Sequence, residues 1–125
     1  VLVTSKNHRN ETLKKLIHKI QFHKVIIMGS IGCKITSIVK GECDIYICLS
    51  LAGKSSPKDW DFAAPEAILK ASGGAITDLD NQDLVYGKQN FIQGGIIVAS
   101  NDINNHNRIC LEIKEIIEKY EINLL

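Results

Sequence analysis

Apolar residues recur along this chain in two periods, and the changes of period mark its elements. Val1-Leu2-Val3-Thr4 is a short β-prone run with no turn before it, which predicts a strand whose sheet partner or supporting upstream domain lies outside the chain. After a polar loop from Ser5 to Asn10, Leu13, Leu16, Ile17 and Ile20 recur at helical spacing, with Asn10 as candidate cap and Lys14, Lys15 and Lys19 on the wet side. Lys24 to Met28 is a continuous apolar run of strand length, the pattern of a strand buried on both faces. The run from Glu42 to Ser50 alternates around Cys43, Ile45, Ile47 and Leu49, which predicts a strand with one packed face. A helix is expected from Asp59 to Ser72, stopped by Gly73-Gly74; if it starts near Asp61, Pro65 falls near the first turn, where little hydrogen bonding is lost. Gly74 to Asp78 and Leu84 to Tyr86 read as the two strands of a small hairpin around Leu79 to Gln82. Gly94 to Ala99 reads as a buried strand, followed by a helix capped by Ser100 or Asn101, with Ile109, Ile113, Ile116 and Ile117 inside and Glu112, Glu115 and Glu118 outside. The expected fold is a layered α/β domain, a mixed sheet of about five strands flanked by helices on both faces.

Composition narrows the function classes. The 125 residues make one domain, and the formal charge of +1 supplies no global field to recruit a nucleic acid polymer or an anionic membrane. Phosphate recognition would have to be local. No apolar run reaches the length of a membrane span. Cys33, Cys43, Cys48 and Cys110 lack metal-type spacing, and the expectation is small reduced thiols in a cytoplasmic protein, with neither a zinc site nor a disulfide framework. His18 reads as a surface residue, and His23 and His106 lie in polar contexts with no evident role.

Two stretches could carry chemistry. Met28-Gly29-Ser30-Ile31-Gly32-Cys33-Lys34 runs from a strand through a glycine-containing turn into a helix. That placement gathers backbone amides and a lysine, as an anion site requires, and equally suits a plain turn. In Lys58 to Gly74, Asp59-Trp60-Asp61 begins a helix, Asp59 is the natural cap, and Asp61 is either a second dipole-stabilising acid or a carboxylate pointing elsewhere.

Trp60-Asp61, Ala63-Ala64, Ile68, Gly73-Gly74 and Asp78 are together similar to the C-terminal signature of the inositol monophosphatase superfamily of metal-dependent phosphatases. With Ala64-Pro65-Glu66 and Ile68-Leu69, the stretch most resembles the 3'(2'),5'-bisphosphate nucleotidases. The resemblance implies that Asp61 is a ligand of a catalytic Mg²⁺. It also implies that Thr4-Ser5-Lys6-Asn7-His8 borders the adenosine, through Ser5 and His8, and that Ser30, by its backbone, and Lys34 hold the ribose and 5'-phosphate side. The Asp-Pro-[Ile/Leu]-Asp-Gly-Thr motif of the family's N-terminal half is absent, since neither proline follows an aspartate. Some family members carry an arginine where this chain has Cys48. The resemblance therefore implies one domain, residues 1–125, equivalent to the C-terminal half of a two-domain phosphatase. The whole protein would release the 3'-phosphate of 3'-phosphoadenosine 5'-phosphate to give AMP, and this part, partnered by an N-terminal half, would be silent alone. An inositol or sugar monophosphatase, and a non-catalytic nucleotide-binding or interaction domain, are the competing readings; homo-oligomerisation is left open.

Overall fold

A computed structural model describes residues 1–5, 11–50, 59–87 and 95–122. Nine elements follow in order: β1 (Leu2–Ser5), α1 (Glu11–Ile20), β2 (Val25–Met28), α2 (Ile31–Val39), β3 (Ile45–Ser50), α3 (Asp59–Ala71), β4 (Ala75–Asp78), β5 (Gly95–Ser100) and α4 (Ile103–Lys119). The strands form a single mixed sheet in the order β2-β1-β3-β5-β4. β1 is parallel to β2 and to β3, whereas β5 runs antiparallel to both β3 and β4.

Each sheet face carries one core and two helices, as the apolar periods require. On one side Leu2, Ile47, Leu49, Ile96 and Val98 pack against Leu13, Leu16 and Ile17 of α1 and Cys110 and Ile113 of α4. On the other side Val3, Tyr46, Cys48, Ile76, Ile97 and Ala99 meet Ile35 and Ile38 of α2 and Phe62 and Leu69 of α3. The layered α/β expectation holds.

Four local expectations are corrected. β1 finds both partners within the chain, lying between β2 and β3 with Leu2, Val3 and Thr4 fully buried. Among the described residues β2 is an edge strand rather than one buried on both faces, and Val25 and Ile27 stay exposed. β3 packs on both faces, because the strands beside it place Tyr46 and Cys48 in one core and Ile47 and Leu49 in the other. The hairpin reduces to its turn: Asp78 accepts the amides of Asp80 and Gln82 at 2.9 Å each. The returning segment makes one bridge, Thr77 to Asp83, while β4 takes its ladder from β5.

Helix α3 also begins earlier than Pro65 suggests. It runs from Asp59, so Pro65 is an interior residue. Gly74, just past its end, is forced by crowding: a Cβ there would lie 2.5 Å from the Ser100 carbonyl oxygen and 2.6 Å from a Leu69 methyl.

Candidate functional site

Chain order selects one end of the sheet. From β1 the chain crosses through α1 on one face to β2, then through α2 on the opposite face back past β1 to β3. The direction of winding therefore reverses at β1, and in such sheets ligands lodge outside the carboxyl ends of the strands at that reversal. Ser5 ends β1 there, paired with Met28 at the end of β2, and Ser30 follows at the start of α2. Helix α3 follows β3, so it too begins at this end.

Ser30 is the N-cap of α2: its Oγ accepts the Cys33 amide at 3.1 Å. The cap satisfies one of the unpaired first-turn amides and leaves the helix N-terminus at the surface. Between α2 and α3 lies a groove of about 490 Å³ whose walls include Ser30, Cys33, Thr36, Ala64, Pro65 and Ile68. It is largely apolar, and the exposed Cys33 thiol borders it.

Asp61 sits on a boundary that the helix itself defines. Its neighbours diverge completely, Trp60 being 67% exposed and Phe62 fully buried, and Asp61 between them is half-buried. Phe62 anchors the first turn of α3 in the core. The carboxylate is close enough to the Tyr46 phenol for its charge to be felt there. Burial is the main cause of the raised Tyr46 pKa, followed by Cys48, with Asp61 adding to it.

Lys34, expected on the ribose and 5'-phosphate side, is enclosed by the fold. Its residue is 2% exposed, and its Nζ lies 5.0 Å from the centroid of the equally buried Tyr46 ring. Burial depresses its pKa below the ordinary lysine value, an effect partly opposed by Cys48 and Cys33. Burial likewise raises the Cys48 thiol. Lys34 therefore lies in the layer between α2 and β3. The backbone of Ser5 reaches the same strand end; His8 lies outside the described residues.

The donor set bears on the magnesium expectation. Among the described residues no group of three or more His, Cys, Asp or Glu side chains could enclose a metal ion. A half-exposed carboxylate at a helix start suits one ligand position of an oxygen-coordinated ion, and the set fits magnesium to that extent.

One cluster was missed by sequence reasoning. His106 is 1% exposed, its Nδ1 lies 2.6 Å from Ser100 Oγ and its Nε2 2.7 Å from Thr77 Oγ1. The Thr77 hydroxyl donates to the Asp78 carbonyl at 2.7 Å, so Nε2 carries the proton and donates to Thr77 while Nδ1 accepts from Ser100. Burial lowers the His106 pKa. The spacing His106, Cys110, Ile113 along α4 was the available signal.

Among the described residues no helix is long and apolar enough to cross a membrane. Known proteins resemble this chain in sequence and in fold. The 3'(2'),5'-bisphosphate nucleotidase CysQ of Aggregatibacter actinomycetemcomitans is 37% identical over 90 residues, covering 67% of this chain and 32% of its own length. The 3'(2'),5'-bisphosphate nucleotidase 1 of Dictyostelium discoideum is 28% identical over 111 residues, 86% of this chain and 33% of its own. Among solved structures, an inositol monophosphatase (IMPase) from Thermotoga maritima superposes with a TM-score of 0.67 at 19% identity, over 94% of this chain and 41% of its own. The chain thus spans about a third of the length of these curated relatives. The inositol monophosphatase family model matches residues 1–118, and the chain belongs to that family.

Proposed function

We propose that this chain is the C-terminal part of a magnesium-dependent phosphatase that removes the 3'-phosphate of 3'-phosphoadenosine 5'-phosphate, giving AMP. The observation that carries the reading is the Asp61 carboxylate, held at the buried-to-exposed boundary of the α3 start by Phe62, at the sheet end where the winding reverses. The nucleotidases among its relatives favour a nucleotide over an inositol phosphate.

In this reading Asp61 would hold magnesium together with acids from elsewhere in a longer protein. The bound ion would supply positive charge against phosphate oxygens and acidify coordinated water. The residues of this chain do the positioning. Phe62 and Leu69, both fully buried, seat α3 in the core. Ser30 caps α2 and leaves its remaining first-turn amides directed at the same strand end, where an anion is favoured. Ser5 and His8 would border the adenosine. Lys34, below them, contributes positive charge from within the domain rather than a direct ion pair. The isolated chain, with one carboxylate for the cluster, would be catalytically silent.

The test is Asp61→Asn in the longer protein, with phosphate release measured on adenosine 3',5'-bisphosphate and on inositol monophosphate. The expected result is loss of turnover with an unchanged melting temperature. Retained turnover with a lowered melting temperature would make Asp61 a helix-stabilising acid and remove the basis of the reading. Preference for inositol monophosphate in the wild type would reassign the substrate, and turnover by the isolated 125 residues would overturn the division of labour.

A further inference from the structure

The outer edge of β2 lies away from the site just described. Leu2 donates its amide to the Lys24 carbonyl at 2.9 Å, and Leu2 pairs with Val25, Thr4 with Ile27. In a parallel ladder a residue bonds the two residues flanking its partner. Lys24, Ile26 and Met28 therefore turn their main-chain groups toward β1, and Val25 and Ile27 turn theirs outward, along a sheet edge. The side chains of the same two residues are 39% and 53% exposed. They lie on the face of Leu2, beyond the cover that α1 provides.

Exposed edges of this kind are commonly blunted by proline, a bulge or an inward-pointing charge. Val25-Ile26-Ile27-Met28 has none of these. Beside it, between α1 and β2, runs a groove of about 420 Å³ lined by Lys14, Ile17, His18, Gln21, Phe22 and Val25. Its ionisable lining groups, Lys14 and His18, are both basic. From residue 11 to residue 28 the chain carries four lysines and two histidines against one carboxylate, Glu11, although the whole chain is near neutral at +1. Glu11 meets Lys14 at 3.3 Å on the exposed helix surface, a pairing that is weak in water. The nearby glutamates of α4, Glu112 and Glu115, line a separate groove behind Ile20 and Phe22.

We propose that the β2 edge and the basic groove beside it form a docking surface for an extended peptide segment with acidic side chains, added to the sheet as a further strand. The outward amides and carbonyls of Val25 and Ile27 supply the ladder. Lys14 and His18 select for negative charge on the α1 side of the incoming strand, and Phe22, Val25 and Ile27 pack against its apolar positions. Charge sets partner choice and approach, while the main-chain bonds and apolar contact supply affinity.

The experiment uses the 125-residue chain and two short fluorescent peptides, one alternating glutamate with valine and one alternating lysine with valine. In low salt the acidic peptide is expected to bind saturably and about tenfold or more tighter than its lysine twin, with the difference shrinking as salt is added. Lys14→Glu combined with His18→Glu should abolish that preference. Ile27→Pro removes one outward amide but none that faces β1, and should abolish binding with the fold retained. Should that variant unfold, acidic peptides N-methylated on one or the other set of alternate residues serve instead: one set should block binding and the other should not. Equal affinity for both peptides, or insensitivity to Ile27→Pro and to N-methylation, would overturn the proposal. So would self-association of the chain that Ile27→Pro abolishes, since the occupant would then be a second copy.

Discussion

Protonation of His106 should make this domain acid-sensitive in a way that one variant can isolate. The imidazole is neutral, with its proton on Nε2, and both nitrogens are engaged at 2.6 and 2.7 Å. A second proton would have to sit on Nδ1, which now accepts from Ser100, a residue with no exposed surface. Burial holds the folded pKa below the 6.5 of an ordinary histidine. The unfolded chain therefore binds the proton first as pH falls. The stability that neutral His106 provides is fully present above 6.5 and is lost between that value and the lower folded pKa, by at most about 1.4 kcal/mol per pH unit for one proton. His106→Ala would be a harsher change, leaving the buried Ser100 hydroxyl unpartnered at about 1–3 kcal/mol and taking from Thr77 one of its two oxygen and nitrogen partners, with a cavity cost added. His106→Gln keeps a donor of similar reach and removes the titration. Urea melts of both proteins across this pH range should show a steeper acid loss in the wild type, the difference being assigned to His106 because the two proteins differ at that position alone. Imidazole ¹⁵N shifts should report the Nε2–H tautomer. Parallel pH profiles, or an Nδ1–H tautomer, would refute the hydrogen-bond assignment.

Two further outcomes follow from packing. Gly74→Ala should cost at least about 2 kcal/mol, because the new methyl meets a backbone oxygen that cannot yield; Gly73→Ala, with φ of +94° and open space around it, should cost about 1 kcal/mol from backbone conformation alone. Equal melting temperatures for the two variants would contradict the crowding at Ser100. Lys34→Met, which keeps the length and discards the buried charge, should change stability by less than about 1.5 kcal/mol, whereas Lys34→Ala should lose about 2–4 kcal/mol through the space left beneath Tyr46; equal losses in urea melts would show that the charge, not the packing, is what matters.

What the chain displays locally and what only its topology decides are separable here. The periods of Leu13, Leu16 and Ile17 and of Val25 to Met28 announce a helix and a strand, since each period is a property of consecutive residues. Whether a strand is central or at an edge depends on which strand lies beside it, and that is fixed by partners far along the chain. The same apolar run in β2 therefore supports a two-faced reading, and the alternation in β3 hides the packing of its second face. The turn after β4 was legible because Asp78 caps it within four residues; the true ladder partner, β5, was not. The burial of His106 and of Lys34 was not legible for one shared reason. A polar letter on a helix does not announce its own enclosure, and only the opposing Ser100, Thr77 and Tyr46, from other elements, show it.

The start of α3 was legible for the opposite reason, since its chemistry lies in adjacent residues. Pro65 has no N–H to give to the carbonyl of Asp61, four residues earlier, so the helical bond between them cannot form, a defect costing about 3 kcal/mol in an ordinary helix interior. The helix nonetheless continues through it from Asp59 to Ala71, because Phe62 before the proline and Leu69 after it are both sealed in the core. Tertiary packing, not the local ladder, thus sets the position of Asp61. The N-termini of α2 and α3 meet the same end of the sheet, and each concentrates partial positive charge there. A chain of formal charge +1 can therefore present a locally attractive surface to an anion at one strand end, with the half-buried Asp61 beside it, and on that pairing of opposite signs the proposed phosphatase reading rests.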